Sequence, residues 1–360
     1  MKIAYFVNSF NAINWGGQAT SNGIKYLINK NYPDAKFYPL DMPRLPFQKI
    51  KILRKFFEYK LYDAIMSDDT KKVYKYLDYF SIKENFFDGF THICFNGEGA
   101  IHSNSGHFIV LMSLLYIAKK QNLYVASINQ TIDLRSKPKL EKLLVKVYSS
   151  LDFVSAREPI SQMYAISLGL DNINLIPDAA YGIPKLSSHE IDKIVNRYNL
   201  PEKFVGITGS SMLKRDKKSL NLVSKVIETI RANFDIHIIF LANAKTDIWI
   251  AKKLSVKYRY TIIEPPVKYI DAIAIISKAS FIVGGRQHPN IFAYEYGVPY
   301  IPFSGNTQKN LGVAKLQNYP IEPLNWECSQ DELIKSINSI LTSKIEFNEI
   351  KIDNFKIFKE

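Results

Sequence analysis

The chain is poor in cysteine. Two occur in 360 residues, Cys94 and Cys328, far apart and in no CxxC pair. Neither a disulfide framework nor a thiolate metal site can be drawn from them, and the usage fits a reducing compartment. The six histidines (His92, His102, His107, His189, His237 and His288) include no HxxxH pair and no Cys/His cluster at ligand spacing. That argues against metal chemistry. The GxSxG nucleophile elbow and the GxxxxGK(S/T) phosphate loop are both missing, which argues against an α/β-hydrolase and a P-loop nucleotidase. No apolar run is long enough to cross a bilayer; the most apolar stretch, Phe108–Ala118, has the length of a buried helix. The opening MKIAYFVNSF is too short for a signal-peptide core and lacks a small-residue cleavage site, so it reads as a first buried strand. A cytoplasmic location is the expectation.

What is present is ordinary globular material, 47% hydrophobic and 22% charged, in a length that suits two domains. Charge is unbalanced, with 47 Lys and Arg against 34 Asp and Glu and a formal net charge of +13. Three causes compete: a lysine-rich proteome, a surface that meets anionic lipid or a lipid-diphosphate carrier, and nucleic acid. The last is the weakest. Basic residues are dispersed, and no helix-turn-helix, RNP or zinc-finger pattern occurs.

Strand-like runs alternate with helix-like ones. Ile3–Asn8, Thr91–Gly97, Leu123–Thr131, Phe153–Pro159 and Ile173–Ala180 are strand candidates of a first half. A polar helical stretch, Leu186–Leu200, precedes a second series at Lys203–Ser211, Ile236–Asn243, Thr261–Pro266 and Phe281–Gly285. Apolar strands without strict alternation, interleaved with helices, predict parallel sheets covered on both faces. The expected fold is α/β: two Rossmann-like lobes with a central cleft. The lobes cover residues 1–185 and 186–345, with a peripheral lysine-rich tail at 346–360. Phe47–Phe87, rich in Lys, Tyr and Asp, reads as helical, exposed and inserted. Ligands of such sheets bind beyond the carboxyl ends of the strands.

The most informative stretch is Phe281–Pro299, FIVGGRQHPNIFAYEYGVP. A buried strand ends in Gly284-Gly285, where a tight turn and close backbone approach by a ligand are possible. A helix follows and ends near Gly297. His288 and Pro289 then lie at its N-terminus, where free amides and the helix dipole favour an anion. Arg286 adds a planar fork for phosphate or carboxylate, and His288 a group that moves a proton near neutral pH. A helix cap with a buried structural histidine is the plainer alternative.

This segment, continued through Lys309, resembles the C-terminal signature of the polysaccharide pyruvyl transferase family. Asn14–Ile28 (NWGGQATSNGIKYLI) is similar to the family's N-terminal loop and first helix. Phe95–His102 (FNGEGAIH) is similar to its second glycine-containing loop, and Ser155–Ala180 to its central block. The resemblance implies a GT-B-like fold. It also implies transfer of pyruvate from phosphoenolpyruvate to sugar hydroxyls of a surface glycan or its lipid-linked precursor, in capsule or lipooligosaccharide synthesis. Phosphoenolpyruvate is then a donor substrate and no cofactor is implied. The family's donor-site arginine and histidine fall on Arg286 and His288, and the arginine of its Arg-Glu pair on Arg157.

The expected donor set is Arg157, Gly284, Gly285, Arg286, His288 and Asn306. On the acceptor side it is Gly97, Glu98, His102 and Gln130. Catalysis rests on His288 (general acid or phosphate ligand), Arg286 and Glu98 (base or acceptor contact, with a helix cap as the alternative). Arg157-Glu158 also reads as a surface ion pair or a helix-start clamp, and Asp178 as a group that orients an arginine or caps a turn. Two departures from the family pattern, Gly97-Glu98-Gly99 with few glycines and Ile128–Thr131 in place of a Pro-Gln-Ser-like stretch, lie on the acceptor side. A glycosyltransferase using a nucleotide-sugar, such as a CMP-sugar, is the second reading. A non-catalytic glycan- or lipid-binding protein is the third. Peripheral contact with an anionic membrane surface goes with the first two.

Overall fold

The computed structural model describes residues 1–41, 51–102, 107–135, 137–352 and 355–359, with the backbone alone of Lys51. The chain falls into two compact units. Unit 1 comprises Met1–Asn8, Lys25–Asp178 and Ile352–Glu360; unit 2 comprises Ser9–Ile24 and Ala179–Lys351. This differs from a single cut at 185/186. The first helix starts in unit 2 and ends in unit 1, and the C-terminal segment returns to unit 1.

In chain order the first elements are β1 (Lys2–Phe6), α1 (Trp15–Asn31), β2 (Lys36–Pro39), α2 (Lys51–Met66), α3 (Thr70–Asp78) and β3 (His92–His102). They are followed by α4 (Phe108–Lys120), β4 (Tyr124–Asp133), α5 (Pro138–Tyr148), β5 (Phe153–Ala156), α6 (Pro159–Ser167) and β6 (Asn174–Leu175). The six strands form one parallel sheet in the order β2-β1-β3-β4-β5-β6. Local chemistry sets the helix starts. Pro138 and Pro159 sit in first turns, where their missing N–H costs nothing. The Asp69 and Glu158 side chains accept first-turn amides of α3 and α6. Helix α4 is buried on nearly every side, its Phe108, Leu111, Leu114 and Leu115 lying in the unit 1 core.

The Phe47–Phe87 stretch is helical as expected from Lys51 onward, while residues 47–50 lie outside the described residues. It is more than an exposed insertion. Leu61, Ala64, Ile65, Val73, Leu77 and Phe87 all belong to the core of unit 1. The expected glycine loop at Phe95–His102 is instead strand, because β3 continues to His102 through an irregularity between Glu98 and Ile101. Residues 103–106, which follow it, lie outside the described residues.

Unit 2 continues with α7 (Ser188–Val195), β7 (Phe204–Ser210), α8 (Lys217–Asn233), β8 (His237–Leu241), α9 (Lys245–Tyr258) and β9 (Thr261–Ile263). Then come α10 (Tyr269–Ile276), β10 (Phe281–Gly285), α11 (Gln287–Glu295), β11 (Tyr300–Pro302), α12 (Lys309–Leu316) and α13 (Gln330–Thr342). Its sheet is also parallel, in the order β11-β10-β7-β8-β9. Every residue of β7 and β10 is buried, as central strands covered on both faces require. Ser187 and Glu190 close a reciprocal capping box on α7, and Asp216 caps α8. From β7 the chain steps outward through β8 and β9, then returns to place β10 on the other side of β7. That reversal is the point at which doubly wound sheets open a crevice.

The tail is not peripheral. Phe355, Ile357 and Phe358 are buried. Phe358 packs edge-on against Tyr32, His92 and Tyr124, and its backbone N–H and carbonyl both pair with the Tyr32 hydroxyl. Three apolar side chains outweigh the flanking lysines that suggested a surface segment. Burial lowers the His92 imidazole below its ordinary value of 6.5. The unfolded chain therefore takes up the proton first. The stability His92 contributes is full above about pH 6.5 and is lost as pH falls through the lower folded value. Amide exchange at residues 355–359 is expected to accelerate on acidification from pH 7 to 5, and His92→Gln is expected to flatten that dependence; an unchanged pH profile in the variant would count against it.

Candidate functional site

The best-formed site lies in unit 2, at the carboxyl ends of β7 and β10. Gly284 and Gly285 close β10 where its register against β7 shifts. Gly284 has φ +149°, and a Cβ there would lie 2.1 Å from the Thr208 hydroxyl and 2.4 Å from the Thr208 carbonyl. A Cβ on Gly285 would lie 2.6 Å from Ser210. The two glycines are therefore demanded by the neighbouring strand.

Arg286 follows directly as the N-cap of α11. Its Nε and Nη2 donate to Oδ2 and Oδ1 of Asp247 at 2.9 and 2.8 Å, a two-point pair. Asp247 lies in the first turn of α9 and is fully buried, whereas the Arg286 side chain keeps 19% exposure. Burial raises the Asp247 carboxyl above its ordinary value, against the opposing pull of the Arg286 charge. Nη1 of Arg286 has no partner among the described residues.

His288, in the first turn of α11, is buried and lies 3.1 Å through Nε2 from the Thr20 hydroxyl. Thr20 reaches it because Ser9–Ile24 packs into unit 2. Trp15 Nε1 donates to the Val267 carbonyl, and the Gln18 side chain accepts the Tyr269 N–H at the start of α10. Gly16 faces the imidazole so closely that a Cβ would fall 2.0 Å from Nδ1. The N-terminal motif thus frames His288 within one unit, which its sequence position had assigned to the other.

Asn306 is placed beside the same strand ends. Its Oδ1 accepts from the Ser211 hydroxyl at 2.8 Å, and its N–H donates to that oxygen at 3.1 Å. Four buried carboxamides border the region: Asn243 after β8, Gln287 and Asn290 in α11, and Asn310 in α12. Each keeps one polar atom without a hydrogen-bond partner (Asn243 Oδ1, Gln287 Nε2, Asn290 Oδ1, Asn310 Oδ1). Buried polar atoms are rarely left unpaired, and a polar ligand or ordered water is their usual partner. Gln287 and Asn290 lie within the stretch the sequence marked out, but Asn243, Asn310, Asp247, Thr20 and Gly16 were not singled out in it. Only the NWGG motif offered a signal, and it did not reveal its partner.

Unit 1 holds the remaining candidates. Glu98 lies at the strand reversal between β1 and β3, half-buried with φ +31°, opposite Gln130 in the β3–β4 register. Because it sits within β3, it caps no helix. His102, also half-buried, stands opposite Asp133. Gln130 does not present its amide to an acceptor. It is fully buried, with Oε1 accepting from Ser127 and Tyr148 and Nε2 donating to the Ser155 carbonyl. A Cβ on Gly97 would collide with Gln130 at 2.4 Å, so that glycine too serves packing.

Arg157 and Glu158 form no surface pair. Arg157 is 2% exposed, donating from Nε to Thr131 and from Nη1 to Asp178 at 2.8 Å, while Glu158 caps α6. Asp178 is the group that orients the arginine. The Arg157 charge is balanced inside unit 1 by Asp178.

Among the described residues no group of three or more His, Cys, Asp or Glu is placed to hold a metal ion, and no helix is long and apolar enough to cross a membrane. The sequence model for polysaccharide pyruvyl transferase matches residues 14–307, which include both the NWGG segment and the α11 site. The chain belongs to the polysaccharide pyruvyl transferase family. It is accordingly a transferase, and the family places it in the pyruvylation of polysaccharides. No curated protein matches it.

Among solved structures, a UDP-GlcNAc 2-epimerase of Methanocaldococcus jannaschii, in complex with UDP-GlcNAc and UDP, is similar with a TM-score of 0.64 at 16% identity, over 99% of this chain and 97% of that one. The Neisseria meningitidis UDP-GlcNAc 2-epimerase gives 0.54 at 12%, over 95% and 91%. A UDP-glucose: anthocyanidin 3-O-glucosyltransferase gives 0.53 at 11%, over 95% and 90%. At such identities the likeness concerns the fold alone, and this family member is GT-B-like, with two parallel α/β sheets.

Proposed function

We propose that the protein transfers a pyruvyl group from phosphoenolpyruvate to two hydroxyls of one sugar in a surface polysaccharide or its lipid-linked precursor, forming a ketal and releasing phosphate. The supporting observation is the α11 N-terminus. There the Asp247-anchored Arg286 and the Thr20-held His288 stand among buried carboxamides that lack partners.

The chemistry asks for a proton on C3 of the enol, stabilisation of positive charge at C2, and removal of a proton from each attacking hydroxyl. One hydroxyl adds at C2 first; the C2–O bond to phosphate then breaks, phosphate leaving with the electron pair, and the second hydroxyl adds to the cation left at C2. A helix N-terminus with an arginine suits the phosphate before and after that break. His288 is assigned the proton delivered to C3, or the departing phosphate. Arg286 uses Nη1 on the anion while Asp247 keeps its plane fixed. Glu98 is assigned the sugar hydroxyl, by its carboxylate and its place at the unit 1 strand reversal. Phosphoenolpyruvate and the glycan are the only reactants required, and no cofactor enters.

A nucleotide-sugar glycosyltransferase is the second reading, suggested by the UDP and UDP-GlcNAc named for the archaeal neighbour. The two separate cleanly. Incubation with phosphoenolpyruvate and candidate glycans is expected to release phosphate with a pyruvyl mass gain on the sugar. Arg286→Ala and His288→Ala are each expected to lower kcat/KM by about 10² to 10³ with the fold retained. Turnover of a CMP- or UDP-sugar with none of phosphoenolpyruvate would overturn the first reading, and parent-like rates in either variant would remove that residue from the site.

A further inference from the structure

Helix α2 has two apolar faces, and the core uses one. Leu61, Ala64 and Ile65 are buried in unit 1. On the opposite side Ile52 (83% exposed), Phe56 (52%), Tyr59 (51%) and Met66 (36%) stand in solvent. At the helical repeat these four fall within an arc of about 80°. Scattered exposed hydrophobics need no explanation, but a continuous stripe on a helix already buried on its other face does.

The surroundings of the stripe are cationic. Lys55 and Lys60 flank it on either side, and Lys60 Nζ lies 5.5 Å from the Phe56 ring centre. From the neighbouring α5, Lys139 Nζ lies 5.8 Å from the Tyr59 ring centre. Lys139, Lys142 and Lys146 are all exposed and share one face of α5 by their three- and four-residue spacing. Asp63 is the one carboxylate within the arc among the described residues of α2. Aromatic and branched side chains rimmed by lysines are the composition of a helix that lies in a lipid interface, rings at headgroup level and ammonium groups on lipid phosphates.

We propose that this face of α2 with the lysine edge of α5 docks the protein on an anionic phospholipid bilayer. The surface shares no residue with the α11 site and does not depend on which donor that site takes. A second copy of the chain would cover the apolar stripe but would set the lysine edge against like charge, so lipid is the better match.

The test is co-sedimentation of the full chain with phosphatidylcholine vesicles, with and without phosphatidylglycerol. Binding is expected to the anionic vesicles alone and to weaken with salt. The pair Ile52→Ser with Phe56→Ser is expected to reduce it at least roughly tenfold, and Lys139→Ala with Lys142→Ala and Lys146→Ala roughly a hundredfold. All five side chains are exposed, so melting temperatures should match the parent, as should turnover of a soluble acceptor. Equal binding to neutral vesicles, unchanged binding in both variants, or no vesicle binding together with a dimer that Ile52→Ser dissolves would each overturn the proposal.

Discussion

Replacing Asp247 by Asn is expected to lower the stability of unit 2 by about 3 kcal/mol and to cut transfer as deeply as loss of Arg286 itself. Asp247 is fully buried and holds Arg286 at two points. Asparagine keeps the volume but returns one acceptor and points an N–H at the guanidinium. The arginine then keeps its charge in a site where water is scarce. Breaking such a pair from one side costs about 3–5 kcal/mol, and the residual exposure of Arg286 puts the effect at the low end. For a unit of this size that is a fall in melting temperature of about 10 °C. The double variant Asp247→Asn with Arg286→Gln should regain most of the stability and none of the activity, because the stranded charge is gone while the anion ligand is too. Parent-like melting and turnover in Asp247→Asn would show that the pair neither holds the site nor shapes it.

The second large effect is expected at Gly284, where alanine should lower the melting temperature by about 10 °C as well, for a different reason. The added methyl would meet the Thr208 hydroxyl and carbonyl at 2.1 and 2.4 Å, and the φ of +149° is closed to alanine. Backbone strain and overpacking each cost about 1–3 kcal/mol, and here neither can relax without parting β10 from β7. Gly169 supplies the comparison. Its φ is also positive, at +92°, but nothing lies within 4 Å of its missing Cβ. Gly169→Ala should therefore cost only the backbone share, about 1 kcal/mol. Equal melting curves for the two variants would mean that the close approach of β7 carries no weight.

The sequence was most readable where structure is local. The strand at Phe281–Gly285 lies as its apolar run foretold, and Arg286 and His288 fall at the helix start that the residues after Gly285 suggested. What stayed hidden was long-range pairing between residues with no local oddity. Asp247 in the first turn of α9 looks like any acidic residue that favours a helix N-terminus. Thr20 meets His288 across 268 positions. Gln130 was placed on the acceptor side by the resemblance of Ile128–Thr131 to a family stretch, while β4 continues to Asp133 and encloses its amide. The Arg-Glu pair misled for a related reason: adjacent charges look like partners, while the backbone sends Arg157 to Asp178 and Glu158 to the α6 amides. The tail was misjudged by counting lysines instead of the aromatic groups between them.

The interleaving of the two units bears on how the chain is made. Residues 1–178 emerge from the ribosome with all six strands of the unit 1 sheet in hand, but the place of Phe358 against Tyr32, His92 and Tyr124 stays empty until residues 355–358 have followed. Residues 9–24 wait in the same way for β10 and α11, more than 250 positions downstream, before Thr20 finds His288. Synthesis in order therefore delivers neither unit complete until residues far downstream of its first strands have followed. A nascent chain of this protein spends that interval with aromatic surface uncovered, and it is then that a chaperone would have the most to hold.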